Sequence, residues 1–590
     1  MTKMKFLYIP VAALALLTTG CIEEINPQTN VVTQDQLNDA PNSAAKVCSG
    51  ITNDMTGGFI YQPSNTDAYD YGYTSLILMR DTQGMDIVNA ESNTNWYQTW
   101  EFCGTGLGPG YAACQMPWTY YFGWIKNCNN TLEITTENPT TQEAKEYAGI
   151  ALAMRALFYL ELAQMFSQET YGINPESPTV PIITEKTTIQ ESKHNPRAPY
   201  GKMLDFILDD LNKAEVLLAG YSRPDNTTPD RSVVYGLKAR AYLLYTDWEN
   251  AEKYAKLAQQ GYTAMTAAQY TDRYTGFNTP NSAWMLSTKF SSSDKNITEN
   301  DADSSWGSWM ITELTAENGC GYASNYGYPF HIDRHLFETI PSTDARKDCF
   351  VDFTVQEKLD AVYAANTITK EDDVATQAAK KAAIAAAQSE AIEWVREHNS
   401  DFPENVALKN IGAEYEQGVG GLSVKFRPTG GAEGFDNQYV GFCVSVPMMR
   451  VEEMILIEAE AAGMQSEARG KQLLEAFAKT RDANYTYGTH NETYQSNYAT
   501  PFQNEIWWQR RVEFWGEGLA TFDIKRLNKG IIRSYANTNH GETTRWNTTT
   551  PPQWMTWCII GTEADNNYDL VNNPTPIRPS GDSPEYDFGN

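Results

Sequence analysis

The chain has 590 residues, with 74 acidic against 45 basic side chains and a formal net charge of −29. That balance argues against nucleic acid as a main partner, because phosphate neutralisation needs clustered Lys and Arg, and against docking on anionic lipid headgroups. An apolar share of 41% excludes wholesale disorder, and the 34 Tyr, 22 Phe and 15 Trp supply either core or flat faces for a ligand.

Lys3 and Lys5 open the chain, followed by an apolar run from Phe6 to Leu17. Twelve residues suit the h-region of a signal peptide and are too few to span a bilayer. The run ends in Leu17-Thr18-Thr19-Gly20-Cys21. Small residues before a Cys resemble a bacterial lipobox, in which the Cys sulfur is acylated. The alternative is an ordinary secretory peptide that happens to precede Cys21. The expected organisation is a signal peptide over 1–20, an acylated tether over 21–42 and one domain over 43–590. No later apolar run is expected to reach the length of a membrane span, so the acyl chains would be the anchor.

Eight cysteines remain after Cys21, in a compartment that permits disulfides. Cys103 and Cys114 flank a turn-rich Gly104–Gly110 stretch that would bring them together. The others (Cys48, Cys128, Cys320, Cys349, Cys443 and Cys558) show no CxxC spacing, which argues against zinc.

Residues 50–130 lack helical period and are rich in Gly, Asn, Ser, Tyr and Trp. From 143 to 168, Ala144, Tyr147, Ala151, Phe158, Leu162 and Met165 recur at three- and four-residue steps, which predicts a helix. Tyr200, Leu204, Ile207, Leu211, Ala214 and Leu218 predict a second. Val234, Leu237, Ala241 and Leu244 give a third, and Trp248, Ala251, Ala255 and Ala258 a fourth, capped near Gly261. Residues 270–350 again lack period, apart from a buried strand around Trp284. An Ala-rich charged stretch over 356–398 favours an exposed helix. Pro447 is placed to begin a helix through Val451, Ile455, Ala459 and Ala462, ended by Gly463, with a partner through Leu473, Leu474 and Phe477. Paired amphipathic helices on short turns read as stacked tetratricopeptide-type units. An irregular α-domain would keep nearly the same helices.

Several passages together resemble the SusD/RagB-type outer-membrane lipoproteins of the Bacteroidetes. They are Arg155-Ala156-Leu157-Phe158-Tyr159 with Phe166 and Val180-Pro181; Arg197-Ala198-Pro199-Tyr200; and Leu237-Lys238-Ala239-Arg240-Ala241-Tyr242 with Asp247-Trp248. Further on come Arg450-Val451-Glu452-Glu453, Ala459-Glu460-Ala461, Arg481-Asp482-Ala483, Arg510-Arg511-Val512-Glu513, Gly516-Glu517-Gly518 and Phe522-Asp523-Ile524-Lys525-Arg526. The acidic Glu23 and Glu24 after Cys21 resemble that group's surface-export signal. Two departures stand out: the closing motifs survive only as Ile559–Glu563 and Asn573-Pro574, and the 356–398 stretch looks inserted.

The resemblance implies a mostly α fold, a tetratricopeptide-like hairpin scaffold with long aromatic-rich loops. It implies a monomer on the cell surface that captures oligosaccharides, less often peptides or glycoprotein fragments, and passes them to a SusC-like TonB-dependent transporter. It implies no catalysis and no cofactor. A surface glycoside hydrolase and a pure interaction protein are the competing readings.

Sugar binding needs aromatic faces for C–H patches and amides, carboxylates or Arg for hydroxyls. The loop 84–100 offers Asp86, Asn89, Asn93, Asn95, Trp96, Tyr97 and Trp100, following Arg80. The loop 304–330 offers Trp306, Trp309, Asn325, Tyr326 and Tyr328. The expected ligand residues are Trp96, Trp306, Trp309, Tyr326, Asn95 and Arg80. Arg510, Arg511, Glu513 and Glu517, at helical spacings, are expected to pair along one helix face. His331 and His335 would share a metal only if helical, and no third ligand is apparent.

Overall fold

The computed structural model describes residues 42–58, 69–89, 96–272, 274, 276–312, 321–323, 329–398, 419–494 and 496–589. In chain order its main elements are α1 (Tyr73–Thr82), β1 (Ile87–Val88), α2 (Ala112–Thr135), α3 (Gln142–Phe166), α4 (Tyr200–Leu217), α5 (Arg231–Leu244) and α6 (Trp248–Ala258). Then come β2 (Trp284–Lys289), β3 (His331–Ile332), α7 (Phe353–Ala365), α8 (Val374–His398), β4 (Ser445–Arg450), α9 (Val451–Gln465), α10 (Glu467–Ala478) and α11 (Pro501–Glu513).

Helices α2 to α6, then α9 and α10, pack each on the next. The long excursion between α6 and α9 carries most of the irregular half. This is the tetratricopeptide-like stack expected from the repeat pattern. Three of its seven helices, α3, α5 and α6, start on side-chain caps: Thr141 accepts from Ala144 N at 3.2 Å, Asp230 from Ser232 N at 2.9 Å and Asp247 from Asn250 N at 3.1 Å. Each such cap contributes roughly 1 kcal/mol. Helix α4 buries Tyr200, Leu204, Ile207, Leu211 and Ala214 on one side, as the spacing requires. At the α9–α10 turn, Gly463 and Gly470 face each other so closely that a Cβ on Gly470 would lie 2.3 Å from the Gly463 Cα. Only glycine permits that approach.

Several expectations change. Helix α3 is buried on every side from Ala148 to Phe166. It is also long and apolar enough by composition to cross a membrane, with a mean hydropathy of 1.3, although that window is wholly inside the protein. Helices α1 and α2 lie within the stretch expected to be irregular. Helix α2 escaped the periodic reading because it buries residues around most of its circumference and carries Pro117. Pro447 does not open a helix. It sits in β4, paired with Ser287 of β2 in an antiparallel two-stranded sheet, where a strand with a free edge tolerates a missing N–H. Gly463 lies inside α9, which continues to Gln465.

The Ala-rich stretch forms the hairpin α7–α8, mostly exposed along α8. Trp284 is in the buried strand β2 as expected. Cys103 and Cys114 are both free thiols, so the structure does not join that pair. The signal peptide, Cys21 and the tether lie outside the described residues.

The Arg and Glu residues of the matching passages do not pair along one face of α11. Arg510 Nε donates to Asp523 Oδ2 at 2.6 Å, and Arg511 Nη2 to Asp86 Oδ1 at 2.6 Å. Glu513 accepts from Arg481 Nε and Nη2, both at 3.0 Å, and from Arg450 Nη1 at 3.3 Å. Burial disfavours the charged Glu513 carboxylate, but the guanidinium groups of Arg481, Arg450 and Arg346 win and hold its pKa well below the usual range. Lys425 Nζ donates to Glu517 Oε1 at 2.7 Å, and Arg450 Nε to Glu517 Oε2 at 2.8 Å. These buried charges join β4, α9 and α11 to the irregular half.

Candidate functional site

The loop carrying Trp96 is placed by contacts that the segment after α1 makes with distant parts of the chain. Arg533 donates from its guanidinium to the carbonyls of Thr82, Gln83, Gly84 and Glu101, at 2.6–3.2 Å. One buried side chain thereby holds both the end of α1 and the short helix Gln98–Phe102. Trp554 Nε1 donates to Gln83 O at 3.1 Å and Trp515 Nε1 to Asp86 O at 2.8 Å. Beyond them, β1 pairs with β3 through Ile87–Ile332 and Val88–His331, which brings the chain next to Asn89 and the chain next to Phe330 to one place.

At that place the aromatics form two layers. Trp96 is 42% exposed, and its Nε1 donates to Tyr322 OH at 3.2 Å. Tyr69 stands beside it, with centroids 5.5 Å apart and planes at 53°. Tyr322 lies flat on Trp309, 4.2 Å away with a 3° interplanar angle. Trp309 in turn meets Tyr97 edge-on at 4.9 Å and Phe330 at 5.9 Å, while Trp100 backs Tyr69 at 5.6 Å. The outer layer of Trp96, Tyr69 and Tyr322 is thus seated on an inner layer of buried rings. Offset and edge-to-face contacts of this kind contribute about 0.5–1.5 kcal/mol each beyond area burial. The indole hydrogen bond to Tyr322 and the Tyr69 ring contact set the orientation of the partly exposed Trp96. A rigid aromatic face at the surface can stack on an apolar patch of a ring-shaped ligand.

The expected ligand residues therefore separate. Trp96 is at the surface. Trp306 and Trp309 are 0% exposed, and neither offers a face to a ligand: Trp306 is packed edge-on against Phe426 at 4.6 Å, and Trp309 supports Tyr322 from below. Arg80 is also interior, its Nη1 paired with Glu161 Oε2 at 3.1 Å and its guanidinium 4.8 Å over Phe522. Asn95 and Tyr326 lie outside the described residues. Asp86 is committed to Arg511. Asn89 is buried, and its side-chain amide has no hydrogen-bond partner among the described residues. The sequence reading did not single out Tyr69 and Tyr322. The available signal was that each is an aromatic close to a loop already chosen for its aromatics.

The two histidines do not share a metal. His331 is in β3 with Nδ1 3.0 Å from Gly420 O, and burial pushes its pKa down to about 4. His335 points instead to Glu492, with Nε2 2.8 Å from Oε1, and stacks on Phe588. Among the described residues no group of three His, Cys, Asp or Glu side chains is placed to hold a metal ion. A separate groove of 480 Å³ lies on the helical scaffold, floored by Leu132, Leu152 and Leu217 and flanked by Glu137 and Lys186. It shares no residue with the aromatic layers.

Residues 61–243 match the SusD-like family model described as "Starch-binding associating with outer membrane". No curated protein matches the sequence. Among solved structures, the chain is similar to a SusD-like carbohydrate binding protein from Bacteroides vulgatus ATCC 8482, with 20% identity, TM-score 0.63, and 90% of this chain and 97% of that chain covered. It is similar to surface glycan-binding protein A from Bacteroides thetaiotaomicron (15% identity, TM-score 0.59, 90% and 98% covered). It is also similar to a laminarin binding SusD-like protein (16% identity, TM-score 0.56, 90% and 99% covered). The SusD-type resemblance and the helical, tetratricopeptide-like fold read from the sequence are thereby borne out.

Proposed function

We propose that the protein is a cell-surface glycan-binding lipoprotein that captures oligosaccharides and delivers them to a SusC-like TonB-dependent transporter. The observation that carries this reading is Trp96: a surface indole, oriented by Tyr322 and flanked by Tyr69, on a fold shared with proteins named for carbohydrate or glycan binding. Its free face would cover the C–H patch of a pyranose ring. Asn95 and Tyr326 would supply hydrogen bonds to hydroxyls from the adjoining loops. Trp309 would serve the site indirectly, as the buried ring beneath Tyr322, while Trp306 and Arg80 would belong to the interior, against Phe426 and Glu161.

In this reading residues 1–20 are removed on export, Cys21 carries the acyl chains in the outer membrane, and residues 43–590 form the binding domain. The activity is capture without bond cleavage. Sugar stacking on one indole contributes only about 1 kcal/mol, so affinity builds from several contacts along an oligosaccharide.

A binding screen of the soluble form starting after Cys21 against plant, host and microbial polysaccharides tests the reading. Binding of at least one glycan by isothermal titration is the expected result. Binding of peptides with no glycan binding would replace the ligand class, and release of reducing ends from a bound glycan would replace capture with hydrolysis.

A further inference from the structure

The C-terminal segment brings a cysteine to the head of α2. Cys114, in the first turn of that helix, and Cys558, 444 residues later, are both free thiols in this structure and are 3% and 0% exposed. Cys114 Sγ lies 3.2 Å from the Cys558 carbonyl oxygen and 3.2 Å from that of Leu107. Cys558 Sγ in turn lies 3.7 Å from the Asn573 carbonyl oxygen and 3.6 Å from that of Pro574, and the two thiols are near enough to shift each other's titration. One backbone bond joins the two segments independently of sulfur: Gly561 N donates to Pro109 O at 2.9 Å. The C-terminal segment is itself held in shape by Ile559 N, which donates to Asn572 Oδ1 at 2.7 Å. Asn573 Nδ2 bridges Phe166 O and Trp557 O at 2.7 and 2.8 Å. Cys103, the expected mate of Cys114, has the cations Arg533 and Arg578 near it instead.

We propose that Cys114 and Cys558 form a disulfide that locks the C-terminal segment onto the start of α2. Two thiols become one S–S bond, releasing two protons and two electrons. The acceptor is an exchangeable disulfide, carried by a thiol–disulfide oxidoreductase of an oxidising compartment, and it leaves as two thiols. The Cys558 thiolate attacks one acceptor sulfur to give a mixed disulfide and frees the first acceptor thiol. Cys114, as thiolate, then attacks the Cys558 sulfur and displaces the second. Since both sulfurs are interior in the folded chain, the exchange takes place while the segment around 557–574 is docking. The bond closes a loop of several hundred residues, the regime in which a crosslink most restricts the unfolded chain. It also fixes the end of the loop 103–111, which lies just after the Trp96 region in the chain.

The test is thiol mapping on the full-length protein exported by a bacterial host. The sample is unfolded in guanidinium with excess N-ethylmaleimide and no reductant, then digested and analysed by mass spectrometry. The expected result is one crosslinked species joining the Cys114 and Cys558 peptides, with Cys48, Cys103, Cys128, Cys320, Cys349 and Cys443 alkylated. Prior reduction should convert the crosslinked species into two alkylated peptides. Alkylation of Cys114 and Cys558 without reduction, or linkage of either to another cysteine, overturns the proposal. A second measurement is the thermal midpoint. Reductant should lower it by a few degrees in the native protein and leave it unchanged in C114S/C558S; an equal shift in both overturns the proposal. If the double variant does not fold, the mapping on the native chain decides alone. Neither readout involves a glycan, so failure here leaves the proposed function standing, and the reverse also holds.

Discussion

In the helical scaffold the long-range contacts that fix the fold are charged. Arg155 grips Asp210 with two bonds of 2.8 Å between α3 and α4, and Arg240 grips Glu453 at 2.6 and 2.9 Å between α5 and α9. Around Trp96 the corresponding contacts are ring on ring, and the outermost ring is left facing water. The difference lies in what each arrangement tolerates. A buried ion pair specifies one partner and penalises its loss heavily. A stack of aromatics can end at the surface with one face unused, because that face needs no hydrogen bond. The scaffold closes on itself, whereas the aromatic layers end at a partly exposed Trp96, where the proposed function places the ligand.

Removing one partner from the charged network should have the largest effect. Glu513→Ala leaves Arg481 and Arg450 buried without their shared carboxylate, and a loss of about 3–5 kcal/mol is expected, measured by urea unfolding or, if greater, as failure to accumulate folded protein. The network also dictates an acid limit. Glu513 has a depressed pKa in the folded chain, so its contribution is present above the ordinary Glu range and disappears as pH falls through the folded value.

Trp306→Ala should come next. This side chain is wholly interior, and its truncation is expected to remove about 3–5 kcal/mol. That places Trp306 with the scaffold rather than with the ligand. An unfolding midpoint equal to that of the unsubstituted protein would show instead that the ring packs loosely.

Asp81 gives a smaller effect with a distinct sign. Burial pushes its carboxyl up to about 7, partly offset by the Gly518 N–H it accepts at 2.9 Å and by Arg80. The folded chain therefore holds an extra proton between about pH 4 and 7 relative to the unfolded chain. The stability linked to that proton is complete below about 4 and lost as pH rises through 7. Asp81→Asn should remove this slope, leaving the variant at least as stable as the native chain at pH 8. Urea midpoints at pH 5 and 8 for both proteins check it, and parallel slopes would refute it.

The smallest expected stability change is that of Trp96→Ala, within about 0.5–1 kcal/mol as for an exposed side chain.

How far the sequence revealed this division depends on where burial originates. Helix α4 was legible because one side is wet, so its apolar residues recur at helical steps. Helix α2 buries residues around most of its circumference, which erases the period; helix α3 kept enough of it to be read, although it is buried on every side. Trp96 and Trp306 looked alike because both have polar or small neighbours in sequence. What separates them is distant in the chain: Phe426 covers the Trp306 ring, and Phe442 lies against the adjacent Gly307. In the same way Arg511 looked like a partner for its neighbours on α11, yet its carboxylate is Asp86, 425 residues away. Motif order in the sequence was enough to identify the scaffold. Which aromatic reaches the surface is decided by tertiary contacts that no local pattern records.

The central claim is that the Trp96 face binds the ligand while the buried tryptophans do not. The most direct measurement is isothermal titration of the native protein and Trp96→Ala with the best glycan from the polysaccharide screen, alongside thermal unfolding of both. The account requires that Trp96→Ala lose at least about tenfold in affinity, equivalent to roughly 1.4 kcal/mol, with its unfolding midpoint essentially unchanged. Equal affinities in the two proteins would contradict it and place the ligand on another surface.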